Sequence, residues 1–201
     1  MKKALALLLA LVMIVGMMPL GAFAAETVPT ITMTPSATDL KVGDTFTVSV
    51  DLSGNTGIAS FQLQLLWNAD VVSMEDIDYT NTIFANPVVN PAKGAFTWAA
   101  TTNVTEDGNI MVATFKVLNP GECGIHQNAE YYYSTDEKNV GVWPEVDETA
   151  TANLTASCAH VWADATCTAP KTCTLCGATE GEAAAHSYES VVTAPTCTEA
   201  G

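Results

Sequence analysis

The chain has 201 residues, with 22 acidic side chains against seven lysines and no arginine, and a formal net charge of −15. So few cations cannot neutralise a run of phosphates, which excludes nucleic acid as a partner and argues against an anionic membrane surface. The acidity suits a chain that is soluble outside a cell, and carries no information about fold.

Lys2 and Lys3 open the chain, an apolar run follows from Ala4 to Leu20, and Gly21-Ala22-Phe23-Ala24-Ala25 ends it on small residues. A basic end, a short apolar core and a small-residue site in that order predict a signal peptide over residues 1–24, cleaved after Ala24. No later stretch is long and apolar enough to span a bilayer, so no membrane span is expected in the mature chain. The mature chain is read as secreted, either extracellular or at the cell surface.

From Thr30 to Thr155 short strands alternate with turn signals. Thr45 to Leu52 places Phe46, Val48, Val50 and Leu52 on one face and Thr45, Thr47, Ser49 and Asp51 on the other. Gly54-Asn55-Thr56-Gly57 is a turn. Ile58 to Trp67 puts Phe61, Leu63, Leu65 and Trp67 on one side and Ser60, Gln62 and Gln64 on the other. Asn68 to Met74 is compatible with a single helical turn. Gly94 opens a strand with Phe96, Trp98 and Ala100 aligned. Asp107-Gly108 marks a tight turn into Asn109 to Leu118, where Met111, Ala113, Phe115 and Val117 align. Ala150 to Thr155 is a candidate last strand. Period-two alternation with turns at this spacing predicts an all-β, two-layer antiparallel sandwich. A unit of this size buries its own core without disulfides.

The six cysteines divide the chain. Only Cys123 precedes residue 150, and a lone thiol there reads as a small buried or half-buried side chain. The other five lie between Cys158 and Cys197. The boundary falls near Ala156, giving a sandwich over 26–156 and a Cys/His-rich tail over 157–201. The tail repeats itself. His160 and Trp162, followed by Ala165-Thr166-Cys167-Thr168, correspond to His186 and Tyr188, followed by Pro195-Thr196-Cys197-Thr198. Cys173-Thr-Leu-Cys176-Gly177 lies between the copies, and the second copy stops at Gly201, which reads as a truncated repeat.

His160, Cys167, Cys173 and Cys176 form a candidate zinc set, with Cys158 and His186 as spare ligands. Three thiolates and an imidazole satisfy tetrahedral zinc, and the Cys-x-x-Cys-Gly turn lets two sulfurs reach one ion. Outside a cell the same cysteines tend to oxidise, so disulfides are the competing reading.

No catalytic constellation is visible in the sandwich. Its only histidine, His126, lies in a loop-like stretch and reads as solvated. G-x-S-x-G, H-E-x-x-H and phosphate-loop patterns are absent. Carboxylates cluster at Glu75, Asp76 and Asp78, at Glu106 and Asp107, and at Asp136 and Glu137, as expected of a surface this acidic. A glycosidase would need two of them facing across a cleft. The chain also lacks a D-x-[DN]-x-[DN]-G calcium loop. It is read as a non-enzyme, and the sandwich is expected to need no cofactor.

Four blocks carry a family resemblance. They are Gly43-Asp44-Thr45-Phe46-Thr47-Val48-Ser49-Val50, Gly57-Ile58-Ala59-Ser60-Phe61-Gln62-Leu63-Gln64-Leu65-Leu66-Trp67-Asn68, Val71-Val72, and Val112-Ala113-Thr114-Phe115-Lys116-Val117. In this order they resemble a bacterial cohesin domain of the cellulosome scaffoldin type. Asn68-Ala69 departs from that family's usual Asp-Pro, and Cys123 to Trp143 shows no family pattern. The resemblance implies a nine-stranded jelly-roll sandwich that binds dockerin-bearing proteins on a flat sheet face, in assembling polysaccharide-degrading complexes. It places Ser60, Gln62 and Gln64 on that face. Neither Ser60 nor Gln62 is charged, which implies a dockerin specificity unlike that of well-known cellulosome cohesins. Carbohydrate-binding modules share the fold, so direct polysaccharide binding or adhesion is the alternative. Its aromatic candidates are Tyr131-Tyr132-Tyr133, where alternation exposes Tyr131 and Tyr133 together or Tyr132 alone. The tail resembles short Cys/His repeats of gut Firmicutes surface proteins.

Overall fold

In the computed structural model the described residues are 28–186; the expected signal peptide over 1–24 and the part of the expected second tail copy beyond His186 lie outside them. The chain first forms β1 (Thr30–Pro35), β2 (Leu40–Lys41), β3 (Thr45–Ser53), β4 (Ile58–Leu66) and β5 (Val72–Asp78). Next come β6 (Val88–Asn90), β7 (Ala95–Val104), β8 (Gly108–Val117), β9 (Gly121–Glu122), β10 (His126–Gln127), β11 (Tyr133–Thr135), β12 (Glu145–Asp147) and β13 (Thr155–Ser157). The tail adds β14 (Trp162–Ala163), β15 (Lys171–Cys173) and β16 (Thr179–Glu180).

Two five-stranded sheets make the sandwich. One runs β12-β1-β3-β8-β5; the other runs β10-β4-β7-β6, with β11 also paired to β4. Short two- and three-residue pairings raise the strand count between residues 30 and 157, all described, above the expected nine. The alternation in β3, β4 and β8 does what period-two patterning requires: Val48, Val50, Phe61, Leu63, Leu65, Ala113 and Phe115 are fully buried between the layers. Aromatic rings fill the centre. Phe61 lies 5.3 Å from Phe84, and Phe84 stacks on Trp98 at 4.5 Å. Cys123 is fully buried, and burial pushes its thiol up from its ordinary range.

Three local expectations are corrected. Ala150 to Thr155 is not one strand. Thr149–Ala152 is a helical turn, because the Thr151 and Ala152 N–H groups both donate to the Glu148 carbonyl, at 2.9 and 2.8 Å. The last strand begins at Thr155 and pairs with both β2 and β9. After β4 the turn is confined to Asn68–Val71, where Val71 and Val72 N–H donate to the Asn68 carbonyl, and Val72–Met74 already belong to β5. Ala100 does not align with Phe96 and Trp98. The β4–β7 register shifts between Ile58 and Ser60, and Ala100 is turned outward.

Candidate functional site

The outer face of the second sheet is built by the pleat of β4. With Phe61, Leu63 and Leu65 committed to the core, Ser60, Gln62, Gln64 and Leu66 must point away from it. Register then fixes their neighbours. Ser60, Gln62 and Gln64 lie opposite Ala99, Thr97 and Ala95 of β7. Ser60 and Gln62 lie opposite Thr135 and Tyr133 of β11 on the other side. Val88 and Asn90 of β6 extend the face beyond Thr97 and Ala95. None of these residues is a carboxylate or a cation. The other sheet's outer face differs: Asp51, Lys116, Glu145 and Asp147 stand on its strands.

The three expected contact residues play different parts. Gln64 is tied at both ends of its amide, donating to the Lys93 carbonyl at 2.7 Å and accepting from Asn128 Nδ2 at 2.8 Å. It holds the neighbouring segments to the face. Among the described residues no hydrogen bond engages the Ser60 hydroxyl or the Gln62 amide, and both are half-buried. Thr135, beside Ser60, is only 4% exposed and its hydroxyl also has no partner. Ser60 and Gln62 are thus polar groups on a rigid sheet with hydrogen-bonding capacity left over, whereas the Thr135 hydroxyl is closed off from the surface. Val88, at 73% exposure, Tyr133 and Trp143 add apolar area at the rim.

The aromatic run resolves to the pair arrangement. Tyr131 and Tyr133 are exposed, whereas Tyr132 turns inward and donates its hydroxyl to the Pro144 carbonyl at 2.8 Å. Burial pushes the Tyr132 phenol far above its ordinary range. Tyr133 meets Trp143 edge-on, with an interplanar angle of 86°. His126 is exposed in β10, and its Nδ1 lies 2.8 Å from the Gly124 carbonyl.

A second cluster stands in the tail. The β14–β15 hairpin pairs Trp162 with Cys173, so His160 and Cys176 emerge at the same end of it. Cys158, His160, Cys173 and Cys176 bring their ligand atoms within 4.8 Å of one another, a group able to hold a metal ion. His160, Cys173 and Cys176 of the expected set therefore converge, and Cys167 does not. Cys167 sits exposed in the connection between β14 and β15, at the opposite end of the hairpin, and Cys158 takes the fourth place. The thiols are unequal. Burial and the neighbouring Cys176 and Cys173 push Cys158 up to about 12. Burial also acts to raise Cys173, but hydrogen bonds from His160 and from the N–H groups of Cys176, Leu175 and Val161 outweigh it and hold that thiol at about 5.

A family model described as "Cohesin domain" matches residues 31–151. The chain belongs to the cohesin family. Solved structures agree on the fold of the cohesin domain. The third cohesin of ScaC from Acetivibrio cellulolyticus, solved in complex with the ScaB dockerin, is 15% identical, with a TM-score of 0.50 over 65% of this chain and 96% of that one. The OlpC cohesin from Clostridium thermocellum, in a type I cohesin–dockerin complex, is 12% identical with a TM-score of 0.50, covering 68% and 96% of the two chains. CaCohA2 from Clostridium acetobutylicum, also solved with a dockerin, is 13% identical with a TM-score of 0.50 over 64% and 98%. The comparison with curated proteins returns no match. Among the described residues no helix is long and apolar enough to cross a membrane.

What sequence reasoning missed in this cohesin domain is the partnership around β4. Residues 123–143 carried no family pattern, yet they supply β10 and β11, which flank β4, and Trp143. Strands of two or three residues are too short for a period to be read.

Proposed function

We propose that the cohesin domain, over residues 26–156, is a non-catalytic docking module that binds a dockerin-bearing protein through the outer face of β4, β6, β7 and β11. The observation that carries this reading is the uncharged face on a strongly acidic chain. Interface cores are depleted of charge relative to the surrounding surface, and this face pairs a depleted centre with unspent polar groups at Ser60 and Gln62. A preorganised sheet loses little entropy on binding, which favours a rigid platform. Residues 1–24 act as a signal peptide, so docking takes place outside the cell or at its surface, in assembling polysaccharide-degrading enzymes. Residues 157–201 form a Cys/His-rich repeat tail appended to the module.

The alternative is direct polysaccharide binding. It needs exposed rings in one plane to stack on sugar faces, and the edge-on packing of Tyr133 against Trp143 argues against that. A pull-down separates the two. The secreted chain is incubated with dockerins from the same organism in calcium, and in parallel with insoluble glucans and mannans. Capture of a dockerin with no retention on polysaccharide is expected. Retention on polysaccharide with no dockerin captured would overturn the docking reading.

A further inference from the structure

We infer that the tail binds one zinc ion through Cys158, His160, Cys173 and Cys176, and that this ion clamps the tail to the last strand of the sandwich. The four donor atoms lie within 4.8 Å of one another, and two of their spacings match the edges of a tetrahedral coordination shell. Zn–S bonds of about 2.3 Å and a Zn–N bond of about 2.05 Å at tetrahedral angles put ligand sulfurs about 3.8 Å apart, and sulfur and nitrogen about 3.6 Å apart. Cys158 Sγ lies 3.8 Å from Cys173 Sγ, and Cys176 Sγ lies 3.5 Å from His160 Nδ1. Both spacings are tetrahedron edges. A Cys158–Cys173 disulfide would need its sulfurs at about 2.05 Å.

The surroundings fit a metal site. Leu175 N–H donates to Cys173 Sγ at 3.4 Å, as expected where a turn supports a thiolate. Gly177 adopts φ +73° and returns its N–H to the Cys173 carbonyl at 3.0 Å, closing the turn that carries Cys176. Trp162 stacks on the His160 ring at 4.8 Å, and the Lys171 ammonium lies over Trp162 at 5.1 Å, so the imidazole is braced from behind. Three thiolates and one neutral imidazole around a divalent zinc give a net charge of −1, and the thiol protons leave to solvent on binding.

Zinc also answers an energetic problem. From Cys158 to His186, Cys173 is the only fully buried residue. A segment with no apolar core cannot offset its own ordering entropy, and metal binding supplies that free energy instead. Cys158 follows directly on β13, whose Ser157 carbonyl accepts from Val42 N–H at 2.9 Å and whose Ala156 is buried in the core. With Cys158 as a ligand, the ion ties the tail to the sandwich with no free linker between them. With Cys167 in its place, the tail would swing.

The test uses the full secreted chain, purified without chelator, by native mass spectrometry and elemental analysis. One zinc per chain is expected. Cys158→Ser should weaken zinc binding by at least about a hundredfold, and Cys167→Ser should leave it unchanged. Circular dichroism of both variants should show the same sandwich melt, which separates metal loss from misfolding. Chelation should open the wild-type tail to protease between residues 159 and 186 while the sandwich survives. A chain without zinc, a mass lower by two hydrogens per bridge with thiols blocked until reduced, or zinc lost in Cys167→Ser but kept in Cys158→Ser would each overturn the assignment.

Discussion

Phe84 belongs to no strand, yet it is fully buried and touches Phe61, Phe96 and Trp98. Trp98 in turn donates its indole N–H to the Ala85 carbonyl at 3.0 Å, which pins the loop from Tyr79 to Pro87 over the end of the sandwich. Phe84→Ala removes a ring from a close-packed interior and should destabilise the domain by about 3–5 kcal/mol in chemical denaturation; a loss under about 1 kcal/mol would mean the loop closes over the gap. Gly94 is constrained differently. At φ +62° it sits in the left-handed region, and a Cβ there would lie 2.6 Å from the Leu65 carbonyl oxygen and 2.7 Å from the Trp67 ring. Gly94→Ala should cost roughly 1–3 kcal/mol, with the Gln64–Lys93 hydrogen bond next to it disturbed as well. An unchanged melting temperature would contradict this account of the β7 entrance.

At the scale of elements, turns hold the strands in register. Asp107 accepts from Asn55 N–H at 2.8 Å, and Asn55 Nδ2 donates to the Val104 and Glu106 carbonyls, so the β3–β4 and β7–β8 turns are stitched together. Backbone N–H groups of Asn55 and Gly54 hold the Asp107 carboxyl below its usual range. Thr80 does the same for Asp78, and Thr149 for Asp147. A carboxyl depressed in the folded state contributes stability that is present above its unfolded value near 3.8 and is lost as pH falls through the folded one. Stability should therefore be flat at neutral pH and decline below about pH 4, and Asp107→Asn should flatten that acid limb. A decline beginning near pH 6 would point to other groups.

The same elements show what could be read from sequence. Strands β3, β4 and β8 were legible because nine or ten residues give several turns of the alternation, each with a large apolar side chain on the inner face. Ser60, Gln62 and Gln64 were legible as outward residues for the same reason. Their neighbours were not, because pairing of β4 with β11 depends on non-local register. Nor was the division of labour among them, since a Gln tied to Lys93 and Asn128 looks like a free Gln in one dimension. Phe84 was invisible because a buried loop residue has no period. In the tail, ligand types were legible, whereas the choice of Cys158 over Cys167 follows from which end of the β14–β15 hairpin each occupies.

For the whole molecule, charge distribution decides how docking should behave. No carboxylate stands on the β4 face itself, so binding driven there should rest on shape, hydrogen bonds and apolar contact at Val88, Tyr133 and Trp143. Screening acts on charges, and the dissociation constant should change by less than about threefold between about 0.1 and about 0.5 M NaCl. A steep salt dependence would place the contact on the acidic surface instead. The most direct test is calorimetric titration of a dockerin into the wild-type chain, a Ser60→Lys/Gln62→Lys variant and a Thr114→Lys control on the opposite sheet. Introducing two cations at an uncharged, desolvated centre should cost about 2–4 kcal/mol of binding, and the control should bind as the wild type does. Equal binding by all three, or a loss confined to Thr114→Lys, would contradict docking through the β4 face.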